Sequence, residues 1–175
     1  MEYRLNLPID NEEIRKLRVG DFVYLSGVIY TARDAAHKRM HESLLKGEAL
    51  PFDIAGQAVY YMGPTPAPPG KVIGAAGPTT AGRMDAYAPE LLDLGLQIMI
   101  AKGKRNEAVR AAIVRNGALY LAAIGGAGAL LSKCILSADV IAYEDLGPEA
   151  VRKLTVKDFP AIVAIDTEGE SIYRY

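Results

Sequence analysis

The sequence predicts an α/β domain with a mixed sheet and flanking helices, and two observations carry this prediction. Short apolar segments of strand length recur along the chain, and segments with helical periodicity separate several of them. This alternation favours at least partly parallel strand pairing, because a crossover helix returns the chain to the same end of the sheet. The 175 residues and the hydrophobic content of 50% are consistent with a single domain over residues 1–175.

The first half of the chain contains two predicted strands and one predicted helix. Residues 21–32 (DFVYLSGVIYTA) are rich in aromatic and β-branched residues, and residues 57–62 (QAVYYM) form a shorter strand. Apolar residues recur every four positions from Asp34, which predicts a helix capped by Asp34 and ended by Gly47. Residues 63–77 are dense in proline and glycine, so we expect an irregular, extended connection there.

The second half continues the alternation. A helix is expected over residues 80–92, entered directly from the turn at 77–79, with Pro89 as a candidate kink. A second helix is expected over 106–116, capped by Asn106 and stopped at Gly117. Further predictions are strands at 96–101, 118–123, 135–143 and 161–165, a short helix at 127–132, and a hairpin-like antiparallel edge at 162–173.

Composition excludes several classes of function. The formal net charge of -1 provides no general field for nucleic acid or an anionic membrane. No apolar run approaches the ~20 residues of a membrane helix, and no basic segment followed by an apolar one opens the chain, so we expect a soluble, cytoplasmic protein. Cys134 is the only cysteine and reads as a small buried hydrophobe, which excludes an intramolecular disulfide. One thiol also cannot hold an iron–sulfur cluster.

Residues 77–85 (GPTTAGRMD) are the most informative segment. A glycine–proline turn that feeds Thr79 and Thr80 into a helix start brings free N–H groups and hydroxyls together, which favours an anion. Arg83 would lie one helical turn later on the same side, where its guanidinium could grip a carboxylate. The alternative is a capped helix with a surface arginine.

Two further cations could meet this segment. Arg33 lies where the first strand gives way to a helix, and Lys102 ends the apolar strand at 96–101. Junctions of this kind commonly face ligands in α/β folds.

His37 and His41 are spaced i, i+4 on the predicted first helix, so they could share a face. No third metal ligand is evident, so no metal site is predicted, and His37 is instead a candidate supporting residue. Gly125 and Gly126 lack the spacing of a phosphate loop and are candidates for close packing or for lining a pocket.

Several segments together resemble one family, the β-subunit or C-terminal domain of class I fumarases and L-tartrate dehydratases. The run at 77–85 is similar to the signature of that family. Other segments follow in the order of the family: 32–38 (ARDAAHK), 59–64 (VYYMGP), 101–105 (AKGKR), 123–126 (AIGG), and 144–150 (EDLGPEA) followed by 158–160 (DFP).

The resemblance implies a domain similar to swivelling β/β/α domains and a reversible hydration of a four-carbon dicarboxylate. It implies a 4Fe–4S cluster with three cysteine ligands on a larger α-type partner subunit, over which this domain closes. Arg33, Arg83 and Lys102 would bind substrate carboxylates, and Thr80 would assist them. Thr79 would be the catalytic base, and Lys102 is expected to take part in catalysis as well. The expected assembly is a heterotetramer of two αβ pairs, with a homodimer possible for the isolated chain.

Three alternatives remain open at this point. An L-tartrate dehydratase β-subunit shares the same chemistry and the same motifs. A stand-alone anion-binding module would keep the fold without catalysis. A self-sufficient metal hydratase built on His37 and His41 would contain stoichiometric metal.

Overall fold

Seven strands form one mixed sheet in the computed structural model of the protein, which describes residues 1–124 and 128–174. Their order is β1-β2-β3-β4-β5-β7-β6, and β1 to β5 pair with their neighbours in parallel. The strands are β1 (Glu2–Asn6), β2 (Phe22–Thr31), β3 (Ala58–Tyr60), β4 (Ile98–Ala101), β5 (Leu119–Ala123), β6 (Ile135–Ala142) and β7 (Val151–Ile165).

Strand β7 closes the sheet into a ring. Its residue Ile162 is the antiparallel partner of Phe22 in β2 and also of Ala122 in β5. A strand has two hydrogen-bonding edges, so β2 and β5 must pair with opposite edges of β7. Strands β2, β3, β4, β5 and β7 therefore form a closed circuit, with β1 and β6 attached outside it.

The helices lie between the strands along the chain. The described residues form α1 (Asn11–Lys16), α2 (Asp34–Leu45), α3 (Ala88–Asp93), α4 (Glu107–Asn116) and α5 (Gly128–Ser132), with 3-10 helices at Ala81–Met84 and Glu144–Glu149. None of these helices is long and apolar enough to cross a membrane.

Two apolar cores lie on the two faces of the parallel strands. On β4, Ile98 and Ile100 belong to the core inside the ring, whereas Met99 belongs to the core beneath the helices. The helical core also contains Met40 of α2 and Ile113 of α4. A parallel strand covered on both faces needs continuous apolar sequence, which is the pattern that predicted β4.

The prediction of an α/β fold with a mixed sheet and flanking helices is confirmed. Helix α4 also begins and ends as its sequence predicted: the Asn106 side chain accepts from the Val109 N–H at 2.9 Å, and Gly117 adopts a left-handed conformation. The predicted cap of α2 is wrong, because Asp34 is the first helical residue and Arg33 stands at the capping position.

The continuous helix predicted over residues 80–92 is also wrong. The chain instead forms the short 3-10 helix Ala81–Met84, turns, and then starts α3 at Ala88. Pro89 does not kink a helix; it lies in the first turn of α3, where a missing N–H costs nothing. The predicted antiparallel edge near the C-terminus is only partly observed. Ile165 and Ser171 form one antiparallel bridge, but β7 itself lies inside the sheet.

Candidate active site

The carboxyl ends of β2, β3 and β4 lie side by side, because these strands pair in parallel. Arg33 comes two residues after the end of β2, and Lys102 directly follows the end of β4. This edge is where open α/β sheets commonly bind ligands. The structure therefore places both cations at one end of the sheet, as the sequence predicted.

Residues 79–81 are inserted between the ends of β3 and β4. The Thr79 N–H donates to the Tyr61 carbonyl at 2.7 Å, and the Lys102 N–H donates to the Thr79 carbonyl at 3.3 Å. The Ala81 N–H then donates to the Lys102 carbonyl at 2.8 Å, so Thr80 and Lys102 form a parallel bridge. These contacts hold both threonines beside Lys102.

The helix start has fewer free N–H groups than the sequence predicted. The N–H groups of Thr79 and Ala81 are already bonded to strand carbonyls, and the helix that follows is a single 3-10 turn. The Thr79 side chain is half-buried, while Thr80 and Lys102 are exposed.

Asp34 brings the two arginines together. Its Oδ2 forms an ion pair with Nε of Arg83 at 2.8 Å, and its Oδ1 lies 4.0 Å from Nε of Arg33. The Arg33 side chain is 26% exposed and the Arg83 side chain is 55% exposed. Arg83 thus reaches the start of α2 rather than lying over a helical turn that begins at Thr79.

Gly63 makes room for Arg33. A Cβ atom at this position would lie 2.8 Å from the Pro148 carbonyl oxygen and 3.0 Å from Cδ of Arg33. Both separations are shorter than ordinary van der Waals contact. The glycine in the segment 59–64 therefore has a specific steric role, which its sequence context did not reveal.

Two tyrosines fix the turn that carries Lys102. The Tyr120 hydroxyl donates to the Gly103 carbonyl at 2.8 Å, and the Gly103 N–H donates to the Tyr173 hydroxyl at 3.2 Å. Gly103 has φ +90, a conformation that other residues rarely adopt. The backbone next to Lys102 is thereby held from β5 and from the C-terminal segment.

Arg105 is a buried ion-pair residue that the sequence did not single out. Its Nε donates to Oδ1 of Asp85 at 2.7 Å, and its side chain is completely buried between the rings of Tyr61 and Tyr120. Oδ2 of Asp85 accepts from the Asn106 N–H at 2.7 Å. Asp85 and Arg105 therefore connect the threonine segment to the start of α4.

His37 is buried beneath Arg33. Its Nδ1–H donates to the Arg33 carbonyl at 2.9 Å, and its Nε2 has no hydrogen-bond partner among the described residues. Burial lowers the pKa of His37 to about 4, so the ring is neutral near pH 7. His41 instead pairs with Glu90 of α3 at 2.8 Å, so the two histidines serve different contacts.

The turn at Gly77 packs against the start of α5. The Ala76 N–H donates to the Gly128 carbonyl at 3.1 Å, and a Cβ at Gly128 would lie 2.6 Å from the Gly77 nitrogen. The candidate residues Gly125 and Gly126 lie outside the described part of the chain.

The assembled cluster suits an anion with more than one negative charge. Arg33, Arg83 and Lys102 supply three cations, whereas Asp34 supplies one carboxylate. Two concave cavities, of about 520 and 360 Å³, lie along residues 64–75 instead, and none of these four residues lines them. The cationic cluster is therefore separate from these two cavities.

The chain's own residues do not fit an iron–sulfur cluster. Cys134 is its single cysteine, and such clusters take three or four thiolates. Over residues 1–124 and 128–174 there is also no group of three or more His, Cys, Asp or Glu side chains that could hold a metal ion.

These features define an α/β domain with three basic side chains, those of Arg33, Arg83 and Lys102, at the carboxyl ends of its parallel strands. The family described as "Fumarase C-terminus" matches residues 1–175, and the chain belongs to this family.

The similar proteins are of two kinds. The chain is 38% identical over 174 residues to the aerobic class I fumarate hydratase of Salmonella typhimurium, and 40% identical over 177 residues to fumarate hydratase 2 of Leishmania major. Each alignment covers 97% of this chain but 30% of the relative, so the chain spans about a third of the length of these enzymes. A Methanocaldococcus jannaschii protein provisionally named L(+)-tartrate dehydratase subunit beta is 40% identical over 180 residues, which cover 99% of this chain and 92% of that protein.

Proposed function

We propose that this chain is the β-type subunit of a class I fumarate hydratase, which hydrates fumarate reversibly to L-malate together with an α-type partner subunit. The observation that carries this proposal is the gathering of Arg33, Arg83, Lys102 and Thr79 at one edge of the sheet, in a chain that matches its family from end to end. A dianionic substrate needs several cations, and arginine binds a carboxylate with two parallel hydrogen bonds.

Each cluster residue has a distinct role in this proposal. Arg33 and Arg83 bind one substrate carboxylate between them, because Asp34 links their side chains. Lys102 and Thr80 lie next to each other in the parallel bridge between residues 80 and 102, and both bind the substrate. Lys102 also stabilises negative charge that develops near Thr79 during proton transfer.

Thr79 is the proposed catalytic base. Its hydroxyl takes the proton from the carbon next to the one that bears the substrate hydroxyl. A free alcohol is a poor base near pH 7, so Thr79 requires an activating neighbour, which we assign to an acidic residue of the partner subunit.

The partner subunit is chemically required. Loss of hydroxide from an unactivated carbon needs a Lewis acid, which a 4Fe–4S cluster on the α-type subunit would supply. The edge of the sheet that carries the cationic cluster is the face on which that subunit would dock. We propose a cytoplasmic heterotetramer of two αβ pairs.

Reconstitution tests the assignment. This chain is purified with its candidate α-type partner, and fumarate hydration is measured for the pair and for each chain alone. We expect activity only in the pair. Hydration of fumarate by the isolated 175-residue chain would contradict the division of roles between the two subunits.

A tartrate dehydratase β-subunit is the second candidate. One observation favours it: the chain covers 92% of a relative named as a tartrate dehydratase subunit, but only a third of the fumarate hydratases. The same reconstituted pair distinguishes the two, because a higher kcat/KM for L-tartrate than for L-malate would assign the second function.

A further inference from the structure

Asp34 lies between the two arginines, and its contacts with them give it a place that the helix-cap prediction did not suggest. It is the first residue of α2, and one of its carboxylate oxygens faces each guanidinium. In the described part of the chain, the Arg83 side chain makes no other ion pair.

The contact between Asp34 and Arg33 is not closed. Nε of Arg33 and Oδ1 of Asp34 are both buried, both lack a hydrogen-bond partner among the described residues, and lie 4.0 Å apart. A buried donor and a buried acceptor without partners are costly, so native structures rarely keep them apart without a reason. A shift of about 1 Å would bring these two atoms to hydrogen-bonding distance.

The geometry of arginine explains what the carboxylate can do. A guanidinium has five N–H donors in one plane, and only one of them is on Nε. Asp34 faces the Nε atoms of both arginines, which leaves the four terminal nitrogens to other partners. Two guanidinium groups held in this way can both bind one carboxylate group.

We propose that Asp34 is a positioning residue, which holds Arg33 and Arg83 by their Nε atoms and directs their terminal nitrogens at one carboxylate of the dicarboxylate substrate. This inference rests on the proposed function of the same site. Asp34 touches neither the substrate nor the reacting atoms, and its contact with Arg33 closes when the substrate draws that guanidinium into place.

The direction in which Asp34→Asn changes KM distinguishes a positioning role from simple electrostatics. Asp34→Asn removes a negative charge beside an anion site, so simple electrostatics would tighten substrate binding and lower KM. If Asp34 positions the arginines, the loss of a charge-assisted contact misaligns both guanidinium groups, and KM rises instead. The two explanations predict changes in opposite directions.

The closing experiment measures kcat and KM of the reconstituted αβ pair with wild-type, Asp34→Asn and Asp34→Glu chains. We expect KM to rise about tenfold in Asp34→Asn, because both guanidinium groups lose the carboxylate that orients them, with a partial return in Asp34→Glu. The matched control is Asp145→Asn: Asp145 binds Arg39 of the same helix at 2.8 Å, so this variant changes the net charge equally. An unchanged or lower KM in Asp34→Asn would overturn the proposal.

A second measurement separates this inference from the proposed function. In the isolated full chain, the Nε–H resonance of Arg83 is followed by nuclear magnetic resonance. We expect Asp34→Asn to shift it and to speed its exchange with water, and Asp145→Asn to leave it unchanged. A wild-type pair without hydratase activity would refute the proposed function. An Arg83 resonance that does not change in Asp34→Asn would refute the positioning role.

Discussion

Arg83 reaches Asp34 with its Nε atom at 2.8 Å and keeps two terminal nitrogens for another partner. A lysine carries a single ammonium group, so it cannot contact Asp34 and at the same time donate two parallel hydrogen bonds to a substrate carboxylate. We expect Arg83→Lys to lower kcat/KM of the reconstituted pair by about 10- to 100-fold. Arg115→Lys is the control, because Arg115 pairs with Asp93 and is 53% exposed, close to the exposure of Arg83. An unchanged kcat/KM would show that Arg83 does not bind the substrate.

His37 makes stability depend on pH. Burial lowers its pKa from 6.5 to about 4, so the unfolded chain takes up a proton over this range that the folded chain does not. The contribution of His37 is complete above pH 6.5 and is lost as the pH falls towards 4, by about 3 kcal/mol. Urea unfolding at several pH values should show this loss in the wild type and not in His37→Gln.

His41→Gln is the control for this titration. It removes a partly exposed histidine of the same helix that pairs with Glu90. The extra loss of stability between pH 6.5 and 4 should persist in this variant. If the extra loss disappeared in His41→Gln, the pH dependence would come from His41 and not from His37.

Single residues were predictable from sequence where a strand end fixes their position. Arg33 and Lys102 follow strands that were themselves evident, so their placement at one edge of the sheet followed. Arg105 was not singled out, because its environment comes from residues distant in sequence: Asp85 lies 20 positions away and Tyr61 lies 44 positions away. A run of basic residues does not reveal which member is buried.

At the scale of elements, the Asp85–Arg105 pair connects the 3-10 helix Ala81–Met84 to α4. Asp85→Asn would remove the carboxylate that pairs with the buried guanidinium of Arg105, and we expect it to lower the free energy of unfolding by about 3 kcal/mol. The matched variant is Asp93→Asn, which breaks the exposed pair with Arg115 and should cost less than about 1 kcal/mol. Equal costs in urea unfolding would contradict the structural importance of the buried pair.

Elements were predicted well where their signals are local. Helix α4 carries its own cap at Asn106 and its own stop at Gly117, and β4 is a continuous apolar run. The helix predicted over residues 80–92 failed because the carbonyl of Lys102 binds the Ala81 N–H and draws this segment onto the strand ends. That competing contact is tertiary and leaves no local signal in residues 80–92.

For the whole molecule, the closure of the ring had no counterpart in the sequence-based prediction. Strand β7 was predicted over five residues, 161–165, but extends from Val151 to Ile165 and pairs with β2, β5 and β6. Its first part contains the exposed residues Lys153 and Lys157 and the half-buried Asp158, whose polarity obscured the strand. The β1 strand and α1 were likewise not predicted.

The closed ring holds the strand ends that carry the cluster, which makes Thr79 testable without loss of the fold. Its backbone N–H and carbonyl, not its side chain, bind the ends of β3 and β4. Thr79→Ala should therefore keep the αβ assembly and its iron content while lowering kcat by a factor of about 100 to 10,000, the usual contribution of a general base. Size-exclusion chromatography, iron analysis and fumarate turnover measure these three properties on one preparation. Thr79→Ser, which restores a hydroxyl, should recover part of kcat; near-normal turnover in Thr79→Ala would instead remove Thr79 from proton transfer and leave the base to the partner subunit.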